Sequence, residues 1–391
     1  MPWREALAAE HRERQQSSLW RQRRQLQSPQ SVEVLRDDKG FLNFCSNDYL
    51  GLANHPRLQE AAIAATKTRG TGSGASHLVC GHQENHHHLE EELAEFVGAE
   101  SALLFSTGYM ANLAVPQSFL GRGDLLIQDK LNHASLIDAA SLCRATFKRY
   151  RHNDLEQLQQ ILETVEHRRA LISGDAVFSM DGDQADIADL DRIAQQHKSV
   201  LLIDDAHGLG VLGRQGRGSY DAAGLTPSRH RLMLGTLGKA LGSFGAFIAG
   251  DRIYIEQLKQ FARTYIYTTA LPPAVATASR AALETIKDEP WRQEQLHKNI
   301  QYFRQGVAAI GLQLMPSETP IQPLVLGQEQ SALDASQLLE TMGIWVSAIR
   351  PPTVPAGTSR LRITLTSDHK QQHIDQLLDG LGQIGSTQSG R

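Results

Sequence analysis

Lys239 is the residue of this sequence best placed for covalent chemistry. It stands in Thr236-Leu237-Gly238-Lys239-Ala240-Leu241-Gly242, among small residues and directly after the apolar run Leu232-Met233-Leu234. That setting is poor for a surface charge and good for an amine that bonds to an aldehyde. Thirty-five residues upstream, the apolar run Val200-Leu201-Leu202-Ile203 closes on Asp204, with His207 three positions on. An amine, a carboxylate, an imidazole and a Thr/Gly turn therefore sit just beyond two apolar runs.

Two simpler explanations of the lysine compete. A phosphate-binding P-loop needs G-x-x-x-x-G-K-[ST], but Met233 stands five before Gly238 and Ala240 follows the lysine. A lysine snorkelling from a helix start leaves the Asp204/His207 pair unexplained. A lysine for a Schiff base, an acid for a pyridinium nitrogen and a phosphate-friendly turn are what pyridoxal 5'-phosphate asks of a protein.

Three other stretches could serve a ligand. Gly70-Thr71-Gly72-Ser73-Gly74-Ala75-Ser76 alternates glycines with hydroxyls, as a loop approaching a ligand closely would. A helical stretch precedes it, so it is not a dinucleotide fingerprint. Ser106-Thr107-Gly108-Tyr109-Met110-Ala111-Asn112 follows an apolar run and opens a helix, whose backbone N–H groups suit a phosphate. Asn132-His133-Ala134-Ser135 is a second helix start after a strand, and the flat His133 ring could stack on an aromatic cofactor. His82, His86, His87 and His88 form a cluster in which His82 and His86 are spaced i, i+4, as on one helix face. No carboxylate or cysteine completes an obvious site and H-E-x-x-H is absent, so no metal is expected.

Bulk properties narrow the class. The 391 residues suggest two or three domains, and 41% hydrophobic with 21% charged residues is ordinary globular composition. A net charge of −4 gives no general reason to expect nucleic acid. Cys45, Cys80 and Cys143 are odd in number and scattered, which suits free thiols in a reducing cytoplasm. No apolar run approaches the roughly 20 residues of a membrane span, and the arginine-bearing N-terminus lacks a signal-like apolar region. A cytoplasmic protein without membrane contact is expected.

The elements that must position these residues follow from periodicity. Residues 1–27 read as a polar, arginine-rich helix, followed by an extended section with Phe41-Leu42-Asn43-Phe44. Helical stretches at 55–67, 89–97, 154–163 and 187–197 alternate with strand-like runs at 102–105, 124–128, 170–173, 199–204, 231–234 and 245–249. That alternation predicts an α/β domain around a mostly parallel central sheet covered on both faces. Such sheets bind ligands beyond the carboxyl ends of their strands, where Asp204 and the Thr236–Lys239 turn both fall. Helices from Pro273 to Ile286 and around Leu296, Ile300, Phe303 and Val307 follow. Strand-like 322–326 and 361–365, with a helix at 332–342, give a smaller α+β unit, and 385–391 reads as a frayed tail. Three parts are expected: an N-terminal arm (1–50), a large cofactor-binding domain (51–287) and a small C-terminal domain (288–391).

With those residues in place, the chain resembles the pyridoxal-phosphate-dependent transferases of the aspartate-aminotransferase fold (fold type I), and among them the α-oxoamine synthases. The resemblance runs over nearly the whole chain. It is carried by Asn47-Asp48-Tyr49-Leu50-Gly51, Gly72-Ser73-Gly74-Ala75-Ser76, Phe178-Ser179-Met180-Asp181-Gly182-Asp183, Asp204-Asp205-Ala206-His207-Gly208 and Thr236-Leu237-Gly238-Lys239. It implies Lys239 as the cofactor-bonding lysine, Asp204 on the pyridine nitrogen, His207 on the ring hydroxyl and His133 stacked on the ring. Gly108, Tyr109, Ser179 and Thr236 would hold the cofactor, with Thr268 and Thr269 reaching phosphate from a partner subunit of a homodimer. Arg21, Asn47, Ser76, His133, Arg350 and Thr353 match positions near substrate. The stretch 348–357, Ala-Ile-Arg-Pro-Pro-Thr-Val-Pro-Ala-Gly, resembles the branch that condenses L-alanine with a pimeloyl thioester on coenzyme A or an acyl carrier protein, in biotin biosynthesis. Glycine C-acetyltransferase and 5-aminolevulinate synthase types remain the alternative. Asp175 stands where some relatives carry glutamate, and His77 where some carry glycine.

Overall fold

Val200-Leu201-Leu202-Ile203 has no polar face to offer solvent, and a strand of that kind persists only when covered on both sides. In the computed structural model, which describes residues 2–226 and 228–389, strand Val200–Asp204 is the centre of a seven-stranded sheet. Across the sheet the strands are Ser101–Phe105, Ala246–Gly250, Arg231–Thr236, Val200–Asp204, Ala170–Asp175, Leu125–Asp129 and Thr146–Tyr150. Only Ala246–Gly250 runs against the rest, pairing antiparallel with both neighbours. The mostly parallel α/β sheet expected from the sequence is therefore present.

Side chains alternate between two cores, as strand geometry requires. Leu202, Leu171, Leu126 and Leu234 pack with Ala111, Ala114 and Val115 of helix Gly108–Phe119 and with Leu258 of helix Arg252–Phe261. Leu201, Ile203, Ile172 and Ile127 face the other way, against Leu158 and Leu162 of helix Leu155–Thr164 and Leu190 and Ile193 of helix Ile187–Gln196. Each such side chain contributes roughly 1.5–3 kcal/mol on burial. Those last two helices start at Asp154 and Asp186, whose carboxylates accept from Gln157 N–H at 2.9 Å and Asp189 N–H at 3.0 Å.

The chain divides into two compact units. The larger (48–179 and 183–294) holds this sheet. The smaller (1–47, 180–182 and 295–391) holds two three-stranded sheets. One pairs the hairpin Glu33–Arg36 and Lys39–Asn43 with Ile344–Trp345, and the other orders Ile321–Gly327, Ser359–Thr364 and Ser347–Ile349. Helices Glu329–Thr341 and Gln371–Ser389 accompany them. Among the described residues, no helix is long and apolar enough to cross a membrane.

Three expectations need correction. The N-terminal helix covers Pro2–Gln16 and buries none of its residues; Ser18, at φ 55°, breaks the helical path well before residue 27. Strand Thr146–Tyr150, at the sheet edge, was not foreseen: four of its five residues are exposed, so it lacks the apolar run that marks the others. The tail expected over 385–391 is helical to Ser389, and residues 390–391 lie outside the described ones.

Candidate active site

The carboxyl ends of two neighbouring central strands bring two carboxyl groups together. Asp175 and Asp204 are register partners at the last positions of strands Ala170–Asp175 and Val200–Asp204. Asp204 is buried. Asn112, wholly buried in helix Gly108–Phe119, donates from Nδ2 to Asp204 Oδ2 at 2.6 Å, and Ala206 N–H donates to Oδ1 at 3.1 Å. The same Asn112 Nδ2 lies 2.8 Å from Ser135 Oγ. The pyridine-nitrogen acid expected from the sequence is thus a carboxylate fixed through both oxygens.

Asp175 behaves differently. Its carboxyl accepts His133 N–H at 2.6 Å. Burial first, and the neighbouring Asp204 second, push its pKa well above the ordinary carboxylate range. The residue flagged only as a departure from relatives is therefore the one that anchors His133. His133 caps helix Ala134–Leu142, with Nδ1 2.7 Å from Ser135 Oγ. The residue is exposed, yet desolvation by its surroundings holds the imidazole below the ordinary histidine value, with Asp204 raising it and Lys239 lowering it further.

Lys239 sits in the turn after strand Arg231–Thr236. Gly242 N–H donates to Lys239 C=O at 2.8 Å and Leu237 N–H to Gly245 C=O at 2.9 Å. Gly242 (φ +61°) must be glycine: a Cβ there would lie 2.3 Å from Ala53 N and Leu52 C. Lys239 Nζ lies 2.9 Å from His207 Nε2, and His207 Nδ1 lies 2.7 Å from Tyr49 Oη. A chain of amine, imidazole and phenol thus runs inward to Tyr49, which is fully buried. The sequence alone gives Tyr49 no role. Its aromatic position in Asn-Asp-Tyr-Leu-Gly was the one available signal.

Gly108 opens its helix beside the turn at Thr236. A Cβ on Gly108 would lie 3.0 Å from Thr236 Cγ2, so glycine keeps the space between helix start and turn open. Thr107 caps the helix by accepting Met110 N–H at 3.2 Å, and Thr236 Oγ1 lies 3.4 Å from Ala206 C=O. Tyr109 gives its hydroxyl to Asp138, so its backbone N–H is what it presents at the helix start. Ser179 is half-buried just after the strand-to-loop segment Ala176-Val177-Phe178. Thr268 donates to Thr264 C=O at 2.6 Å, and Thr269 bridges Ser76 in an isolated antiparallel pair. Ser73 Oγ donates to Leu271 C=O at 2.7 Å, so the glycine-rich loop is tied to segment 269–271. A fixed acid, an amine beside an imidazole and an open helix start fit pyridoxal 5'-phosphate.

The smaller unit holds the remaining expected residues. Arg21 donates to Thr353 Oγ1 at 3.2 Å, and Arg350 donates to Ser18 C=O. An open cleft of about 550 Å³ is lined there by Ser18, Trp20, Arg24, Trp345, Ser347 and Arg350, among others. Asn47 accepts from both Nη atoms of Arg362 at 3.2 Å. Arg362 is buried on strand Ser359–Thr364 and was not singled out. It stands in a strand read only as an apolar run, and a buried guanidinium is the natural partner of a carboxylate.

The histidine cluster is not the one expected. His82 precedes helix Glu84–Val97, so it does not share a helix face with His86. His77, in the turn His77–Gly81, joins the group, with its Nδ1 2.9 Å from His82 Nδ1. Desolvation, with the neighbouring histidines, holds His77 down to about 3 and His82 to about 4.

Comparisons with known proteins agree with this arrangement. Residues 39–381 match the family profile of aminotransferase class I and II. A Saccharophagus degradans protein named 8-amino-7-oxononanoate synthase is 53% identical over 386 residues, covering 98% of this chain and 97% of its own. One of the same name from Methylococcus capsulatus is 54% identical over 362 residues, covering 93% and 94%. Among solved structures, a serine palmitoyltransferase from S. paucimobilis has a TM-score of 0.91 at 28% identity, covering 98% of this chain and 97% of its own. The Francisella tularensis 8-amino-7-oxononanoate synthase has a TM-score of 0.78 at 31% identity, covering 89% and 99%.

Proposed function

Because the chain belongs to the aminotransferase class I and II family and resembles 8-amino-7-oxononanoate synthases along nearly its whole length, we propose that it makes 8-amino-7-oxononanoate. The reaction joins L-alanine to a pimeloyl thioester, releasing carbon dioxide and free thiol, as a step of biotin biosynthesis. The observation that carries the reading is the placement of Lys239 Nζ 2.9 Å from His207 Nε2, in the unit where Asp204 is fixed by Asn112 and Ala206.

Pyridoxal phosphate, when bound, supplies an electron sink for the carbon that loses its proton and its carboxylate. The residues of this chain do the rest. Asp204 keeps a proton on the ring nitrogen, because an anion within hydrogen-bond reach favours the charged form. His133, held by Asp175 through its backbone N–H, would cover the ring. His207 would serve the ring hydroxyl, and Tyr49 sets the His207 orientation through Nδ1. The helix start at Gly108 and Tyr109, with Ser179 and Thr236, takes the phosphate. Lys239 Nζ removes the Cα proton of alanine and later returns one to the product, as a general base and acid. Arg21, Asn47, Ser76, Arg350, Thr353 and the buried Arg362 recognise the substrates, with the arginines matched to carboxylates.

Assembly belongs to the same reading. The enzyme acts as a cytoplasmic homodimer in which Thr268 and Thr269 reach the partner's cofactor. Its three free cysteines are consistent with a reducing compartment. The test is a product assay by mass spectrometry with alanine, glycine and serine against pimeloyl-, acetyl- and succinyl-thioesters. Alanine with the pimeloyl group, on coenzyme A or a carrier protein, is expected to be the productive pair. Preference for glycine would instead indicate a glycine C-acetyltransferase or 5-aminolevulinate synthase type. Light scattering at twice the chain mass checks the dimer.

A further inference from the structure

Outside the active site, the strongest unassigned group of donors surrounds His82. Two sets of side chains there bring three donor atoms within 4.8 Å of one another: His77, His82 and His86, and His82, His87 and Glu90. The first set is spoken for. His86 accepts Gln83 N–H on Nδ1 at 2.9 Å and donates from Nε2 to Leu271 C=O at 2.6 Å, so both ring nitrogens serve the helix start and segment 271. His77 faces His82, Nδ1 to Nδ1, at 2.9 Å and stacks on Tyr265 with ring centroids 5.0 Å apart.

The second set is different. His87 and Glu90 are spaced i, i+3 on helix Glu84–Val97 and so share one face. With His82 Nδ1 engaged by His77, Nε2 is the nitrogen left to ligate. Glu90 Oε1 accepts Leu104 N–H at 2.9 Å, which fixes the carboxylate and leaves Oε2. Lys259, the cation whose charge acts on both His82 and Glu90, is paired with Glu256 at 2.6 Å. His87 is 61% exposed, and its Nε2 lies 3.4 Å from Glu91 Oε1, a solvent-facing contact that an entering ion would replace.

We propose that His82, His87 and Glu90 form a divalent-metal site of the borderline class, best matched to Zn²⁺. Two imidazoles and a carboxylate, with a fourth position open to water, are a zinc donor set. Bonds of about 2.0–2.2 Å put tetrahedral donors roughly 3.3–3.6 Å apart, so donors that now lie within 4.8 Å of one another close by up to about 1.5 Å through side-chain rotation. The contact of His77 with His82 Nδ1 supplies the outer partner that fixes tautomer and ring orientation in such sites. A bound ion ties the turn at 77–82 to helix Glu84–Val97. Through Ser76, bridged to Thr269, it also steadies the glycine-rich loop.

The experiment is calorimetric titration of untagged holoenzyme with Zn²⁺, with bound metal counted by elemental analysis after dialysis. One equivalent per chain is expected. His82→Ala, His87→Ala and Glu90→Gln should each weaken binding by about 10–100-fold, the range seen even for outer-sphere losses. His88→Ala and Cys80→Ser should leave it unchanged. His87 is exposed, so its variant keeps the test valid if the His82 variant does not fold, and the cofactor's visible absorbance reports folding throughout. Absence of stoichiometric uptake, uptake that survives His87→Ala, or uptake abolished by His88→Ala or Cys80→Ser would each overturn the site.

Discussion

Asp205 offers a direct measurement of what the site's carboxyl cluster costs the fold. It is wholly buried, accepts Ser219 N–H on Oδ2 at 2.6 Å and, among the described residues, has no hydrogen-bond partner on Oδ1. Gly208 and Gly218 are packed so close that a Cβ on either would lie 2.0 or 2.2 Å from the carboxyl. Burial first, and the Asp204 charge after it, push its pKa from 3.8 up to about 7. A carboxyl raised in this way stabilises the fold fully only below its unfolded value. That stability is lost as pH rises from about 4 through about 7, at up to about 1.4 kcal/mol per pH unit, for a total of roughly 4 kcal/mol. Asp205→Asn keeps the shape and the acceptor for Ser219 but cannot ionise. Urea titrations of holoenzyme at pH 5 and pH 8 isolate the term as the difference between variant and wild type. That difference should widen in the variant's favour by roughly 2–3 kcal/mol between the two. A gap that does not change with pH would refute the reasoning, because it would mean Asp205 is ionised or protonated throughout.

Four further outcomes are expected. Lys239→Ala should abolish turnover and the visible absorbance of lysine-bound cofactor; borohydride trapping followed by peptide mapping checks it, and label on another lysine would remove the assignment. Asp204→Asn should lower kcat by about 10³–10⁴-fold, as mistuned acid–base partners do, so a loss under tenfold by steady-state assay would mean the acid lies elsewhere. Arg362→Lys replaces a two-pronged donor by a point charge and should raise the KM for alanine by about 10–100-fold, the equivalent of about 1.5–3 kcal/mol for a charged hydrogen bond. His152 is opposed by burial, but Asp129 at 3.1 Å and Asp183 at 2.7 Å outweigh it and raise the imidazole to about 10. Its contribution is therefore present below about 6.5 and lost as pH rises through about 10. His152→Gln should destabilise the enzyme by about 1–3 kcal/mol at pH 7 and by much less above pH 10.5, read from thermal unfolding.

Much of the fold was legible because the buried strands announce themselves. Val200–Ile203 and Leu232–Leu234 are continuous apolar runs, and a strand with both faces covered needs nothing else. Thr146-Phe147-Lys148-Arg149-Tyr150 was not legible, since an edge strand is protected by the charges that disguise it. The N-terminal helix was read too long because arginine and glutamine are good helix formers with or without a partner face, and nothing before Ser18 marks the break. At the site, Lys239, Asp204 and His207 were visible as chemistry set beyond apolar runs. Asn112, Tyr49 and Arg362 were not, because their roles come from contacts 92, 158 and 315 residues away in sequence. His82 shows the opposite error: spacing of four suggested a shared helix face, but the helix begins only at Glu84.

The central strand ends place Asp175 and Asp205 each close enough to Asp204 for its charge to push their pKa values upward. They are made unequal by their donors. Asp204 receives the Asn112 amide and the Ala206 N–H, one on each oxygen. Asp175 and Asp205 each have a single short backbone donor, from His133 and Ser219, and burial with the Asp204 charge pushes both upward. The helix that opens at Gly108 thus has two jobs on two of its turns. On the proposed function its first N–H groups would take the phosphate, and Asn112, four residues on, holds Asp204 through a 2.6 Å hydrogen bond. These donors hold Asp204 in place for the proposed reaction, and the cost of crowding the carboxyls falls on Asp205, where the pH-dependent stability should show it.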